Sequence, residues 1–296
     1  MLKNDLLPDE SNFPDSYYEA MKLIRSLGIS YEKIDPCKND CMLYWKNNKF
    51  VDSCKICGAS RWKENKHSGE TRFRKGKKTP HKILRYFPLK TRRQRLFMCS
   101  KTSYLMRWHH ENKANTGIMR HPVDSKAWKK FDELHQSFAM EPRNENFVFS
   151  MLIPSPGSPG DAIDIYLQPL IDELNELWET GVVAFDESTK QNIMLHVALL
   201  WTINDFPAYA NLSEWRLPPN TLSGDDILDQ VADLDGLPLT NDPKKKIKVS
   251  HKNRGDIWNK KSIFFYLPYW KTLLLRHNLD VMHIEKNICD NIWEQS

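Results

Sequence analysis

Apolar and polar positions along the chain mark out helices, short apolar runs and turn-rich connections. In "DSYYEAMKLIRSLG" the residues Tyr18, Met21, Leu23, Ile24 and Leu27 recur at mostly helical spacing. Asp15 or Ser16 would cap that helix and Gly28 would stop it. "SKAWKKFDELHQSFAM" repeats the pattern through Trp128, Phe131, Leu134 and Phe138, with Ser125 as the cap. "MLIPSPGSPGD" is rich in proline and glycine and reads as a loop. It leads into "LQPLIDELNELWETG", where Leu170, Leu174 and Leu177 share a face. Pro169 is expected in the first turn, where its missing N–H is harmless, and Gly181 at the end. "VVAF" and "IMLHVALLWTI" are apolar runs, the second a buried strand or a short helix. Farther on, the acids Asp225, Asp226, Asp229, Asp233 and Asp235 precede the basic run Lys244 to Lys248, which together read as a loop or linker. The last stretch is strand-like around Phe264 to Leu267 and helical from Asp280 onward. Helices mixed with a few strands argue for an α+β or α/β fold.

Composition adds a core and a compartment. With 296 residues, 40% of them hydrophobic and ten tryptophans, the chain can bury one large domain or two ordinary ones. "MLKNDLLPDESNF" lacks the basic and apolar regions of a secretory signal, and Ile193 to Ile203 is too short to span a bilayer. The expectation is therefore a soluble, intracellular protein with no membrane partner, whose thiols stay reduced.

That expectation decides how the cysteines are read. Four of the six lie between Cys37 and Cys57 in the spacing C-x3-C-x12-C-x2-C, formed by Cys37, Cys41, Cys54 and Cys57. Two close pairs separated by a loop can each form a knuckle and together complete a tetrahedron of thiolates around Zn2+. Gly58 suits the left-handed turn of the second knuckle. Four thiolates leave no position for a reacting water, so this zinc would be structural. Cys99 and Cys289 read as buried small hydrophobes.

The net charge of +5 conceals a local concentration. From Arg61 to Arg107 there are sixteen lysines and arginines against Glu64 and Glu70. Phe73, Tyr86, Phe87 and Phe97 are interleaved with them, a mixture suited to phosphate contact and stacking. The cations assigned to DNA are Arg72, Arg74, Lys75, Lys77, Lys78, Lys82, Arg85, Arg92, Arg93 and Arg95. "FRKGKKTPHK" and "KTRRQR" also serve as candidate nuclear localisation signals, which makes the expected location nuclear. Neither a G-x-S-x-G elbow, a Walker P-loop nor an H-E-x-x-H is present, which removes the parts that hydrolase, NTPase and zinc-protease readings require.

The segments "YLQPLIDELNELWETGV", "LLWTINDFPAYANLSEW" and "WNKKSIFFYLPYWKTLLLRHNLDVMHIEKNICDNI" resemble the Tnp2-type transposase of plant CACTA (En/Spm) DNA transposons, as do "DPCKNDCMLYW" and "CKICGASRW" upstream. The resemblance implies a catalytic core like ribonuclease H, in which three acids hold two Mg2+ ions for DNA strand cleavage and transfer. It implies DNA as partner, transposon ends in particular, and assembly with intact transposase subunits. Carried over by position, Asp205 in "TINDFPAY" matches the second acid, and Asp280 and His283 in "LDVMHIEKN" match a D-x-x-H element. On the residues alone, Asp205 reads as a turn acid before Phe206-Pro207.

Departures from the family's pattern bear on activity. The segment of the type "LASDGFNPF" that carries the first acid is missing between "EPRN" and "LIPSPG". After Trp215 the chain passes from "NLSEW" to "RLPPNTLSG" where a Cys- and His-bearing stretch is expected, and the region expected to supply the third acid would follow Ser296. The resemblance thus implies an internally deleted, C-terminally truncated transposase that binds DNA without cutting it. Two other readings stand beside it: an active enzyme using Asp161, Asp164 or Asp186 as replacement acids, and a zinc-stapled domesticated module whose partners are proteins. The expected organisation is an N-terminal helical segment (1–30), a four-cysteine zinc module (31–62), a basic DNA-facing segment (63–124), a partial transposase core (125–215), an acidic and basic linker (216–256) and a truncated core segment with the D-x-x-H element (257–296). In fold terms this is an N-terminal helix and zinc-knuckle module followed by an incomplete ribonuclease-H-like α/β core.

Overall fold

The computed structural model describes residues 16–26, 30–111, 119, 121–143, 145–146, 160–204, 223–237 and 260–279. Helix α1 (Tyr17–Ser26) opens with Ser16 Oγ accepting from the Glu19 amide at 3.2 Å, the anticipated cap. Five short strands follow: β1 (Glu32–Pro36), β2 (Leu43–Tyr44), β3 (Phe73–Arg74), β4 (Lys77–Lys78) and β5 (Leu84–Tyr86). β1 is the middle of an antiparallel sheet in the order β2-β1-β5, and β3 and β4 form a separate hairpin. Next come α2 (Leu89–Met98), α3 (Trp108–Glu111), α4 (Lys126–Leu134), α5 (Gln136–Ala139) and β6 (Glu145–Asn146). The long helix α6 (Ile163–Glu179) leads into β7 (Val182–Asp186), β8 (Gln191–Leu195), β9 (Val197–Ala198) and β10 (Thr202–Asn204). α7 (Gly224–Gln230) and β11 (His277–Leu279) complete the described elements. The fold is α+β, as the sequence pattern implies. Among the described residues β7–β8, β6–β9 and β10–β11 are separate two-stranded ladders, the first antiparallel and the other two parallel.

α6 is the spine because its apolar positions cover more than one face. Ile165, Tyr166, Leu167, Leu170, Ile171, Leu174 and Leu177 are all buried, in a cluster shared with Leu84, Phe97, Leu195, Val197 and Trp270. Around its C-terminal end an aromatic group closes the core. Phe138 stacks on Trp178 at 5.2 Å and Trp178 meets Tyr269 at 4.5 Å, while the Leu199 amide donates to the buried Tyr269 hydroxyl at 2.9 Å. Each such ring pair contributes roughly 0.5–1.5 kcal/mol beyond the area it buries.

Polar residues on α6 tie this core to both flanks. Pro88 precedes α2 and offers no capping side chain, so the first amides of that helix need a partner from elsewhere. Glu173 supplies it: its carboxylate accepts from the Leu89 amide at 2.9 Å, the Lys90 amide at 3.0 Å and the Tyr86 hydroxyl. Asp164, also buried, accepts from Lys260 Nζ at 2.7 Å and from the Ile263 amide at 3.2 Å. One helix thus organises three segments of chain.

Several expectations need correction. α6 begins six residues before Pro169, which therefore lies inside the helix and is itself buried. Burial of Ile165, Tyr166 and Leu167 outweighs the hydrogen bond that the proline removes. The apolar run at Phe264 forms a 3-10 turn, Ile263–Tyr266, in place of a strand, and Leu267 closes it by donating to Phe264 O at 2.9 Å. The acidic stretch begins with α7 and is not a loop throughout, because Ser223 and Asp226 form a reciprocal capping box. Helix α4 keeps its Ser125 cap but breaks at His135, and Leu134 is exposed. Cys99, expected inside, is exposed. The second apolar run resolves as the end of β8, all of β9 and the start of β10. Asp205, Asp280, His283, Cys289, Lys244 to Lys248 and the loop "MLIPSPGSP" lie outside the described residues.

Candidate metal centre and basic hairpin

β1 delivers the chain into the first knuckle. The Cys37 amide donates to Met42 O at 2.9 Å and the Asp40 amide to Cys37 O at 3.0 Å, with Asp40 in the left-handed region at φ +55°. Aspartate is among the few side chains that tolerate this conformation. In the second knuckle the Gly58 amide donates to Cys54 O and the Cys54 amide to Ala59 O, both at 2.8 Å, with Gly58 at φ +73°. The two turns bring the four sulfurs within 4.8 Å of one another. Cys37 Sγ lies 3.5 Å from Cys57 Sγ and 3.9 Å from Cys41 Sγ.

These separations suit one metal ion. Sulfurs bound at ~2.3 Å to a tetrahedral centre stand roughly 3.8 Å apart. A disulfide would require about 2.05 Å, and the cysteines are free. Three of the four thiols are buried, and burial pushes Cys37 well above the ordinary thiol range. Burial also acts to raise Cys57, but the Ala59 amide and the neighbouring thiols outweigh it and lower that group. The Asn39 amide donates to Cys37 Sγ at 3.4 Å and Asn39 Nδ2 to Cys57 Sγ at 3.5 Å, the kind of outer contact that orients thiolate ligands. Four sulfur donors, three of them buried, provide a closed site for an ion such as zinc, and no place for a catalytic water.

Around this cluster the fold sorts the basic run. Arg61 grips Asp35 through Nε at 2.8 Å and Nη2 at 2.6 Å, and its guanidinium lies over Tyr44 and Trp62. Lys82 and the Tyr166 hydroxyl both reach the buried Asp40, each at 2.5 Å, which joins the first knuckle to α6. Arg85 stands over Tyr31; Arg92 stands over Phe87 and donates to Pro88 O at 3.0 Å. Arg93 and Arg95 are half-buried on α2. Lys90 pairs with Glu176 and Arg107 with Glu111. Sequence alone could not make this division, since partners such as Asp40, 42 residues from Lys82, are distant in the chain.

The hairpin is different. Lys75 and Gly76 occupy its two-residue turn at φ +51° and +73°, the left-handed pair that matches the twist of the flanking strands. The stem continues below the strands, where the Thr79 amide donates to Arg72 O at 2.9 Å and the Arg72 amide to Lys63 O at 2.7 Å. Arg72, Arg74, Lys75, Lys77 and Lys78 are all exposed. Lys78 meets Asp52 at 3.2 Å and lies over Trp62. Among the described residues no ion pair engages Arg72, Arg74, Lys75 or Lys77.

Two of the three acids proposed as replacements are already occupied, and the side chain of Asp161 lies outside the described residues. Asp186 is fully buried; it accepts from Arg143 Nε at 2.9 Å, and from the Ser188 amide at 2.9 Å and Oγ at 2.6 Å. Burial opposes its charge, but the Ser188, Arg143 and Thr189 donors prevail and hold its pKa at about 2. Asp164 is taken by Lys260 and Ile263. Asn204 and Leu279, which precede Asp205 and Asp280 in the chain, are register partners in the β10–β11 ladder.

Comparison with known proteins places a transposase-related segment in the part of the chain that builds α6 and β7 to β10. The family that matches is described as Transposase family tnp2, and the match covers residues 143–217. The cysteine cluster and the hairpin precede it. No curated protein matches the chain, and no solved structure matches it. No helix among the described residues is long and apolar enough to cross a membrane.

Proposed function

We propose that this chain is a transposase-derived DNA-binding protein of the CACTA (En/Spm) type, stapled by one structural Zn2+ and lacking strand-cleavage activity of its own. The observation that carries the reading is the adjacency of four convergent thiols and an exposed basic hairpin in one module, joined through Asp40 and α6 to the transposase-related segment. Cys37, Cys41, Cys54 and Cys57 would hold the ion, whose part is to fix the two knuckles. Phosphates of DNA, transposon ends among them, would neutralise the cations that the fold leaves unpaired. A nuclear location follows from that partner.

The inactive reading draws on the acids. Paired Mg2+ ions need carboxylates free to bind them, whereas Asp164 and Asp186 are committed to protein donors. Asp205 keeps its assignment as the second acid of a ribonuclease-H-like core, and Asp280 and His283 theirs as its D-x-x-H element. With the segment of the first acid missing between "EPRN" and "LIPSPG", Asp205 alone would leave the metal pair incompletely held.

The test is zinc content of the purified full chain together with duplex-DNA binding across a salt series, for wild type and Cys54→Ser. One zinc per chain and binding that falls steeply with salt, both lost in the variant, are expected. Metal-free protein indifferent to DNA would refute the reading. A shallow salt dependence together with protein capture would favour the interaction module instead.

A further inference from the structure

The hairpin has two unequal faces. Side chains alternate across a strand, and residues paired across a ladder point the same way. Phe73 and Lys78 are partners and share one face, and Lys78 leans on Asp52 and Trp62 of the module's body. Arg74 and Lys77 are partners on the other face, which Arg72 joins two residues earlier. That outer face carries three cations without an ion pair among the described residues, and Lys75 adds a fourth at the tip.

We infer that this outer face, Arg72, Arg74 and Lys77 with Lys75 at the turn, is the DNA-reading surface, and that the β3–β4 ribbon lies in the major groove of duplex DNA. The inference rests on the DNA-binding reading and narrows it to one element. A two-stranded ribbon fits the major groove, which is about 12 Å wide, and is too broad for the minor groove at about 6 Å. Arginine and lysine are the side chains that pair with guanine O6 and N7 there, while the same cations reach flanking phosphates. The type of turn matters as well: positive φ at both central residues presets the ribbon's twist, so little ordering entropy is lost on binding. Lys82, Arg85 and Arg92, tied to Asp40, Tyr31 and Pro88, belong to the scaffold and not to this surface.

The experiment uses the full chain with its metal and a mixed-sequence duplex across a salt series. Arg72→Ala/Arg74→Ala/Lys77→Ala should weaken binding by about 10- to 100-fold and make the log–log salt slope less negative by about 2 to 3. Lys78→Ala, on the inner face, should leave affinity within about twofold and the slope unchanged. Guanine N7 methylation should interfere with wild-type binding. Unchanged metal content and thermal midpoint in both variants would establish that the fold is intact. A triple variant that keeps the wild-type slope overturns the inference while leaving DNA binding standing. Loss that is independent of N7 methylation overturns the major-groove placement, and tighter binding to an RNA duplex overturns the choice of partner. Wild-type protein that binds no duplex at any salt instead removes the underlying function.

Discussion

The module around the cysteines and the core around α6 are stabilised in different ways. The module buries only Cys37, Cys41, Met42, Tyr44 and Cys54 as its own cluster, while the α6 core draws residues from Ile34 to Leu273 into one contiguous body. Five residues with three cysteines among them do not bury enough apolar area to order a loop of this length. A metal ion held by the four thiols would supply the missing cross-link, and rigidity would then last only as long as the ion is held. The lesson is that a small patch of chain can be made rigid enough to present a charged hairpin without enlarging the core.

Removing the metal should break the comparison most visibly. Chelation of a zinc-loaded chain is expected to cost the module on the order of 10 kcal/mol, enough to unfold it. Hydrogen exchange should then show lost protection at the Cys54 and Gly58 amides with little change in α6. Simultaneous loss in both regions would show that they are one cooperative unit.

Glu173→Ala attacks the tie between α6 and the start of α2. The Tyr86 hydroxyl and the Leu89 and Lys90 amides lose their acceptor, for an expected loss of about 3 kcal/mol measured by denaturant unfolding. Glu173→Gln, which keeps an oxygen but gives up the charge, should lose less.

Acid tests the core in the metal-free chain, because protonation of the thiolates would release bound zinc over the same range. Asp186 is held at about 2, below its ordinary 3.8, so its contribution is complete above that ordinary value and disappears as pH falls through the lower one. The contribution is about 2 kcal/mol, and Arg143→Ala should flatten this part of the stability profile. The smallest effect belongs to the cap of α4: Ser125→Ala should lose about 1 kcal/mol, seen as a small drop in thermal midpoint.

What the sequence discloses differs between the two regions in the same way. Cys37, Cys41, Cys54 and Cys57 declare their arrangement by spacing, because each pair is local and a knuckle needs nothing distant. Ser16, Ser125 and Gly181 are equally local signals, each placed as expected at a helix end. Pro169 misleads because burial along α6 overrides a local preference, and the run at Phe264 misleads because apolar residues without periodicity do not choose between strand and turn. The signal for α7 is present in the chain: Ser223 followed three residues later by Asp226 is a capping pattern that the density of acids obscures. The division of cations into scaffold and surface is encoded in partners such as Asp40, Tyr166 and Glu173, which only the tertiary fold brings near.

The Glu173 carboxylate also imposes an order of events during synthesis. Leu89 and Lys90 leave the ribosome long before Glu173, 84 residues behind the first of them. At about 5–20 residues per second the start of α2 waits several seconds for its acceptor. The cysteine knuckles need no such delay, since all four cysteines emerge within twenty-one residues. Nascent chains arrested before Ile163 should therefore hold metal while the Leu89 and Lys90 amides exchange freely, and arrest beyond Glu179 should protect them. Protection already present in the shorter chains would show that α2 completes itself without α6.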